Sequence, residues 1–413
     1  MKKALLGSTA LIASGVLAAP AMAADPIKLE LRGYFQAFIT LGHIDRDVVG
    51  GTTGTSYRPE TFRYEGEIWF TGQTKLDNGT TVGVRIELEG WSNNTGVSAS
   101  NSTGTLDQLD EEYLFAFGDW GRIDFGATDG ASYKMVYATP SALTGWGFQD
   151  PNMAHHGAGF AAANQAGRFG VTPGMSASMG NNPGDATKLT YYTPRFAGLQ
   201  IGVSYTPDFS PTASTAQCAF RQGGAAITNC PKNSNEWHNA LDIGANYLNK
   251  FGDVTVALYG GYFNAGFDRG TAGGSNNNNT NPSANGRWKS WAVGAQIGLS
   301  GFTLGGGVGQ DNNGRRGNNR TRWYSAGLMY ETGPWQVSAG WWGGRNDEKS
   351  VTSLTAEDRA GRDKIDMFQV GGNYALSPGI KLVGGVSYVM GSGQSKSEKA
   401  DSWAVIMGTV LTF

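Results

Sequence analysis

Apolar and polar residues alternate along several segments of this chain, and this period of two limits the possible fold more than any other feature. In residues 29–41 the odd positions, beginning with Leu29 and including Phe35, are mostly apolar, whereas most even positions are polar. Residues 62–71 and 82–89 repeat the pattern. Successive side chains of a β-strand point to opposite sides, so each segment has an apolar face and a polar face. The alternation therefore predicts half-buried strands.

The composition agrees with strands rather than helices. Gly accounts for 63 of 413 residues, and aromatic residues make up 11%. Glycine is a poor helix former, whereas aromatic side chains suit strands and lipid interfaces. Charged residues amount to only 16%, below the roughly 25% of ordinary soluble proteins. After residue 23 no uninterrupted apolar stretch reaches about 18 residues, which excludes a helical membrane protein.

Sixteen segments have strand character, an even number, as bacterial single-chain barrels require. They are predicted at 29–42, 62–74, 80–91, 108–118, 121–127, 186–194, 198–206, 236–249, 252–263, 287–299, 301–310, 320–332, 333–343, 363–376, 379–389 and 400–413. Short turns such as Asp77–Gly79 alternate with long loops rich in Gly, Asn, Ser and Thr. A soluble β-sandwich would also alternate. The strand number and the aromatic end of the last strand, Phe413, favour an all-β, antiparallel transmembrane β-barrel with short periplasmic turns and long external loops.

Residues 1–23 have the features of a secretory signal peptide. Lys2 and Lys3 precede an apolar stretch, and Ala21–Ala23 forms the small-residue cleavage pattern. We expect export by the Sec pathway, cleavage after Ala23 and one mature domain over residues 24–413. An N-terminal membrane anchor is the alternative, but the stretch is short for a span. Removal of two lysines changes the formal net charge from −2 to −4, which argues against a nucleic-acid partner.

Three segments resemble the general porins of Gram-negative bacteria, particularly the α-proteobacterial type. They are residues 113–131, residues 188–207 and the last strand, which ends at Phe413. The resemblance implies a homotrimer in the cell outer membrane, in contact with outer-membrane lipid and lipopolysaccharide. Each barrel would pass small hydrophilic solutes and ions by diffusion, through a pore narrowed by a long third loop that folds inward. No cofactor is expected.

In that family a constriction places carboxylates of the inward loop opposite a basic cluster on the barrel wall. The basic candidates on the polar strand faces are Arg32, Arg63, Arg85 and Lys188. The acidic candidates, in the long stretch after the fifth strand, are Asp129 and Asp150. Facing cations in a narrow channel repel one another, so opposing acids would lower the electrostatic energy.

An alternative interpretation gives the arginines no constriction role. They would then be solvated lumen charges paired with the inward acids Glu65, Glu67, Glu87 or Glu89. In this assignment inward acids outnumber inward bases, which predicts a mild cation preference. Arginines clustered at the narrowest point would reverse that preference.

Two cysteines and two adjacent histidines lie in predicted loops. Cys218 and Cys230 share one external loop, and such a pair in an exported protein most often forms a disulfide. The cross-link would stabilise the fold by about 2–3 kcal/mol. His155 and His156 lie in the third loop, but adjacent histidines need further ligands at defined spacing, so we predict no metal site.

The sequence contains no motif of the common enzyme classes. It has no G-x-S-x-G, no H-E-x-x-H and no Walker sequence. The glycine-rich segment 304–311 misses the dinucleotide spacing, and we expect its glycines to let neighbouring strands approach closely. We therefore predict that the protein is not an enzyme. Two other functions stay open: a substrate-specific channel for sugars or organic acids, and a plugged barrel with a structural or adhesive role.

Overall fold

The computed structural model describes most of the chain, in segments separated by gaps. The described residues are 26–47, 59–89, 109–148, 184, 186–209, 237–267, 286–312, 314, 320–347, 363–393 and 399–413. They form strands β1 (Lys28–Asp47), β2 (Glu60–Lys75), β3 (Thr81–Glu89), β4 (Leu109–Gly118), β5 (Gly121–Ala127), β6 (Thr187–Tyr192), β7 (Leu199–Asp208), β8 (Trp237–Phe251), β9 (Val254–Phe267), β10 (Trp288–Leu299), β11 (Phe302–Asp311), β12 (Arg320–Thr332), β13 (Trp335–Asp347), β14 (Asp363–Ser377), β15 (Ile380–Ser392) and β16 (Lys399–Thr412), with the short helix α1 (Ala131–Lys134).

The strands close into one antiparallel barrel. Each strand pairs with its neighbours in sequence, and β1 pairs with β16 to complete the ring. The seam continues past the last strand, since Gly33 and Phe413 exchange backbone hydrogen bonds of 2.9 and 3.0 Å. A closed ring leaves no strand edge with unsatisfied backbone groups in lipid. The predicted 16-stranded antiparallel barrel is confirmed.

The two faces of the wall differ as the alternation requires. On β1, Leu31 is 58% exposed on the outer face, whereas the neighbouring inward side chains Gln36, Phe38 and Thr40 are buried. Outward apolar side chains recur on the other strands, for example Val370 at 58%. An apolar exterior of this kind faces hydrocarbon.

Short turns join the strands at one end of the barrel, as predicted. The turn between β2 and β3 places Gly79 at φ 83°, and the turn between β12 and β13 places Gly333 at φ 54°. Both values lie in the left-handed region, where a residue without Cβ is favoured. The longer connections lie at the other end, which is the external end of an outer-membrane barrel.

No helix within these described segments is long and apolar enough to cross a membrane.

Residues 128–148, here called the inward segment, leave the end of β5 and run inside the barrel. Near its start lies α1, which packs against β7, β8 and β9. Further along, Leu143, Trp146 and Phe148 are buried among inward side chains such as Phe38. The inward folding predicted for the third loop is thus observed over these residues.

Candidate functional site in the barrel lumen

Polar side chains of the wall hold the backbone of the inward segment. Ser204 Oγ on β7 accepts a hydrogen bond from Ala131 N at 2.9 Å, and Gln296 Nε2 on β10 donates to Ala138 O at 2.9 Å. Further bonds come from β8, β13 and β14: Asp242 Oδ2 accepts from Ser132 N, Asn246 Nδ2 donates to Met135 O, Ser338 Oγ accepts from Ala142 N, Asn373 Nδ2 donates to Ala142 O and Gln369 Nε2 donates to Trp146 O. The segment is therefore anchored along half of the barrel circumference.

Glycines on the lumen face let the segment lie close to the wall. A Cβ at Gly244 on β8 would stand 2.8 Å from Ala131 O, and one at Gly305 on β11 would stand 2.6 Å from Ala138 O. Glycine in a strand commonly marks the close approach of another backbone. The sequence had suggested that glycines in 304–311 let strands approach each other. A Cβ at Gly306 would indeed press on the Ser325 carbonyl oxygen of β12, while the lumen-facing Gly305 and Gly307 also lie beneath the inward segment.

The segment itself is almost uncharged. Asp129 and Lys134 are the only ionisable side chains with a formal charge among residues 128–148. Most of the remaining side chains are small, aromatic or aliphatic, and they turn towards the wall of β8–β15 and β1. The charges of the lumen therefore lie mainly on the opposite part of the wall, on β1–β5.

Three arginines on β1–β5 are paired with acids of the same strand. Arg85 bonds Glu87, and Arg122 Nε donates to Asp124 Oδ1 at 2.7 Å. On β1, Arg32 Nη2 donates to Glu30 Oε2 at 2.9 Å. Residues i and i+2 share one face of a strand, so these contacts need no partner from a loop. Arg85 thus matches the alternative in which the predicted arginines pair with wall acids, whereas Arg32 pairs with Glu30, an acid that the alternative did not name.

Aromatic rings also hold two of these guanidinium groups. The guanidinium carbon of Arg85 lies 4.5 Å from the ring centre of Trp69, and that of Arg122 lies 5.1 Å from the ring centre of Phe115. Such cation–π contacts fix the side chain as well as its charge. Each arginine head is therefore held against the wall and directed towards the lumen.

A cluster of carboxylates occupies β2, β3 and β4 at the same depth. Carboxylate oxygens of Glu65, Glu67 and Glu89 lie within 4.8 Å of one another, as do those of Glu67, Glu87 and Asp110. The acids have local donors, since Tyr34 Oη and Trp69 Nε1 donate to Glu67 and Gln36 Nε2 donates to Glu65. All four lumen acids predicted from the sequence belong to this cluster.

The two remaining described candidates lie at the root of the inward segment. Lys188 is 1% exposed, and its Nζ donates to the carbonyl oxygens of Thr128, Gly184 and Ala186. Asp129 donates its backbone N–H to Glu111 Oε1 at 2.9 Å. Burial and the nearby negative charge of Glu111 raise the pKa of the Asp129 carboxyl to about 6. The constriction roles predicted for these two residues stay predictions.

Sequence reasoning missed the charged residues Glu111, Arg122 and Asp124 of this wall. Glu111 accepts from Thr128 Oγ1 at 2.6 Å and lies 3.4 Å from Lys134 Nζ, so it fastens the start of the segment to β4. Arg122 and Asp124 form the pair on β5 described above. For Arg122 and Asp124 the available signal was the alternation in residues 122–125, which places both side chains on the polar face of β5.

Several predictions fall on residues outside the described segments. These are the signal peptide 1–23, Asp150, the pair His155 and His156, and the cysteines Cys218 and Cys230. Arg63 is described and lies on the inward face of β2, next to the acid cluster in sequence. The constriction roles of Arg63 and Asp150, the signal peptide and the disulfide stay predictions.

Comparison with known proteins agrees with this architecture. The family model for Gram-negative porins matches residues 7–394. The anion-selective porin of Comamonas acidovorans has a similar fold, with a TM-score of 0.53 at 16% identity over 94% of this chain and 100% of that one. A loop-8 deletion mutant of OmpT, an outer-membrane protein of Vibrio cholerae, gives a TM-score of 0.55 at 10% identity with the same coverage.

A porin structure refined at 1.8 Å gives a TM-score of 0.51 at 13% identity, again over 94% of this chain and 100% of that one. No curated protein matches the sequence. At these identities the structures support the fold, whereas the family model covers most of the sequence and carries the assignment. The chain belongs to the Gram-negative porin family, and its closed barrel with an apolar exterior and a charged interior is the architecture of an outer-membrane diffusion pore.

Proposed function

We propose that this porin passes small hydrophilic solutes and ions along the charged wall of β1–β5, with a weak preference for cations. The observation that carries the proposal is the carboxylate cluster of Glu65, Glu67, Glu87, Glu89 and Asp110. Rings of acidic side chains favour cations in channels because they lower the energy of a positive ion near them. The cluster has more carboxylates than the lumen arginines of β2 and β3 can neutralise.

The preference is weak because the exposed part of each ion pair is the base. The Arg85 side chain is 28% exposed against 8% for Glu87, and the Arg122 side chain is 37% exposed against 2% for Asp124. A passing solute thus meets arginine heads, while the carboxylates act from behind them. The excess of carboxylates favours cations, whereas the more exposed arginine heads favour anions. The two effects partly cancel, so ions of both signs can pass through the pore.

Within this proposal Arg32, Arg63 and Arg85 line the solute path on the wall. Asp129 and Asp150 stay the acidic candidates of the third loop. Lys188 acts differently in the proposal, as an anchor of the inward segment, because its ammonium is surrounded by backbone carbonyls. The electric field across the pore would then run between the mixed charges on β1–β5 and the nearly neutral inward segment.

Planar-bilayer recording tests the proposal. Under a salt gradient we expect ohmic steps and a reversal potential of the sign given by cation preference. Glu89→Gln should reduce the preference and Arg85→Glu should increase it, whereas Glu112→Gln, on the outward face of β4, is the matched control. A reversal potential of anionic sign in the unmodified protein, unchanged by Glu89→Gln, would refute the charge assignment.

The same recordings distinguish the other two functions. Block of the ion current that saturates with one sugar or organic acid would indicate a substrate-specific channel. Folded, heat-modifiable protein that gives no current steps would indicate a plugged barrel. We propose no catalytic activity, because the wall charges pair with one another and the sequence has no enzyme motif.

Assembly and export follow from the sequence and the family. We propose a homotrimer in contact with outer-membrane lipid and lipopolysaccharide, which native gels of unheated protein test by migration at three times the monomer mass. N-terminal sequencing of protein from outer membranes should begin at Ala24. Thiol labelling of unfolded, unreduced protein should leave Cys218 and Cys230 unmodified if they form the predicted disulfide.

A further inference from the structure

Three basic residues stand side by side on the outer surface of β12–β14. Arg322 is the cross-strand partner of Arg345, and Arg345 is the partner of Lys364. Their neighbours Trp323, Asn346 and Ile365 are buried in the barrel interior, so the three cations point outward. Like charges directly opposite each other on a sheet are destabilising. A row of this kind therefore needs counter-charge.

The nearby acids supply only part of the counter-charge that the basic row needs. Asp366 Oδ1 accepts a hydrogen bond from Arg345 Nη2 at 3.0 Å. Asp347 is the cross-strand partner of Arg320, two residues nearer the external end of the barrel than the basic row. Arg322 Nε donates to the neutral Gln310 at 3.2 Å. Within the described part of the chain, no carboxylate contacts Arg322 or Lys364.

The row lies just beyond a band of aromatic side chains. Trp341, Phe368, Tyr388 and Trp403 follow one another across β13–β16 in register. Trp341 and Phe368 are each four residues from the basic row along their strands, a distance of about 13 Å before strand tilt. Aromatic girdles mark the membrane interface of such barrels, and these strand ends lead to the long external connections. The cations are thus at the depth of the outer-leaflet headgroups.

We propose that Arg322, Arg345 and Lys364 form a binding site for the phosphorylated headgroup of an outer-leaflet glycolipid. The phosphate would lie across the row, and the acyl chains would extend down the aromatic band. Arginine binds phosphate oxygens in a bidentate manner, and lysine adds a compact charge. The inference rests on the outer-membrane placement of the barrel, and it specifies where the proposed lipopolysaccharide contact is made.

Trp341 connects the aromatic band to the basic row. Its Nε1 donates to the same Asp366 oxygen that binds Arg345, at 3.1 Å. Arg345 Nη1 also donates to the carbonyl oxygen of Gly344 at 2.8 Å. The central cation is therefore held in position before any lipid binds, whereas Arg322 and Lys364 keep donors available for the phosphate.

The test uses the refolded barrel in phosphatidylcholine nanodiscs, titrated with bis-phosphorylated lipid A. Arg322→Gln combined with Lys364→Gln should weaken binding roughly thirty-fold, because each cation near an anionic headgroup strengthens binding about five-fold. Lys75→Gln combined with Lys250→Gln removes two cations from the short-turn end and should leave binding unchanged. Dephosphorylated lipid A should bind the unmodified protein about as weakly as phosphorylated lipid A binds the double variant.

Equal affinity of the unmodified protein and the Arg322/Lys364 variant would overturn the proposal, as would equal binding of the dephosphorylated lipid. Competition by inorganic phosphate at the lipid's own concentration would assign the row to free phosphate instead, which also overturns it. Current steps recorded from the same samples show separately whether the pore is open. A failure of lipid binding is thus distinguishable from a failure of the pore function.

Discussion

Asn373 donates through Nδ2 to the carbonyl oxygen of Ala142 at 2.6 Å and so joins β14 to the inward segment across 231 residues of sequence. The backbone N–H of Ala142 in turn donates to Ser338 Oγ on β13. One residue of the segment is thereby held on both sides by the wall. The width of the pore depends on such contacts, because they determine how far the segment stands from the charged strands.

Removing both anchors should loosen the segment without unfolding the barrel. Ser338→Ala combined with Asn373→Ala deletes the two buried hydrogen bonds to Ala142, each contributing about 1 kcal/mol, together with the bond from Asn373 to Gln336. We expect noisier open-channel current and faster cleavage of the segment by added protease, while heat modifiability persists. Asn249→Ala, whose amide bonds Tyr247 Oη away from the segment, is the control. Equally quiet current in the double variant would show that the anchors do not fix the pore.

A side chain at Gly244 should narrow the pore. Its Cβ would stand 2.8 Å from Ala131 O and 3.0 Å from Ser132 Cα, so Gly244→Val must displace α1 towards the pore. We expect smaller conductance steps and a loss of stability of about 1–3 kcal/mol from overpacking. Gly260→Val on β9, where a Cβ has nothing within 4 Å, should change neither quantity. Identical steps from both variants would contradict the close packing of α1.

The pair on β5 should matter more for stability than the pair on β1. Arg122→Gln leaves the buried carboxylate of Asp124 without its charged partner, which costs on the order of 2–3 kcal/mol. Arg32→Gln removes a pair whose side chains are 63% and 40% exposed, where the loss is roughly 0–1 kcal/mol. Urea titration of the refolded barrels in the same detergent measures both. The reverse order would show that burial does not decide the strength of these pairs.

Cation preference should decrease as the solution is acidified through pH 6. The pKa of Asp129 is raised to about 6 by burial and by Glu111, so its carboxylate is charged at pH 7.5 and neutral at pH 5. The lumen then loses negative charge at the root of the inward segment. Reversal potentials at the two pH values measure the change, and Asp129→Asn should flatten it. An unchanged pH response in that variant would exclude Asp129 as its source.

The fold could be predicted from the sequence because the barrel wall is a repeated local pattern. Each strand carries its own alternation of apolar and polar residues, so the number of strands and their faces can be obtained without knowing the tertiary contacts. The predicted strand 29–42 corresponds to Lys28–Asp47, and 379–389 to Ile380–Ser392. Only the strand ends were missed, because alternation continues into the longer hairpins.

The lumen was harder to predict because its contacts join distant segments. Alternation places Arg85 and Glu87 on one face, and their pairing could have been predicted from that spacing. Nothing local shows that Gly244 lies beneath Ala131, or that carbonyl oxygens near Thr128 surround the Lys188 ammonium. Those relationships depend on the path of the inward segment, which the family resemblance suggested only in outline.

The pairing of β1 with β16 has a consequence for how the barrel folds and enters the membrane. The strand synthesised first finds one of its two partners in the strand synthesised last, over a register from Tyr34–Thr412 to Asp47–Lys399. Until then, one edge of β1 has backbone groups that hydrocarbon cannot solvate. Strands therefore cannot enter the bilayer one by one as they leave the ribosome. We therefore expect the pairing of β1 with β16 to accompany insertion of the barrel into the outer membrane.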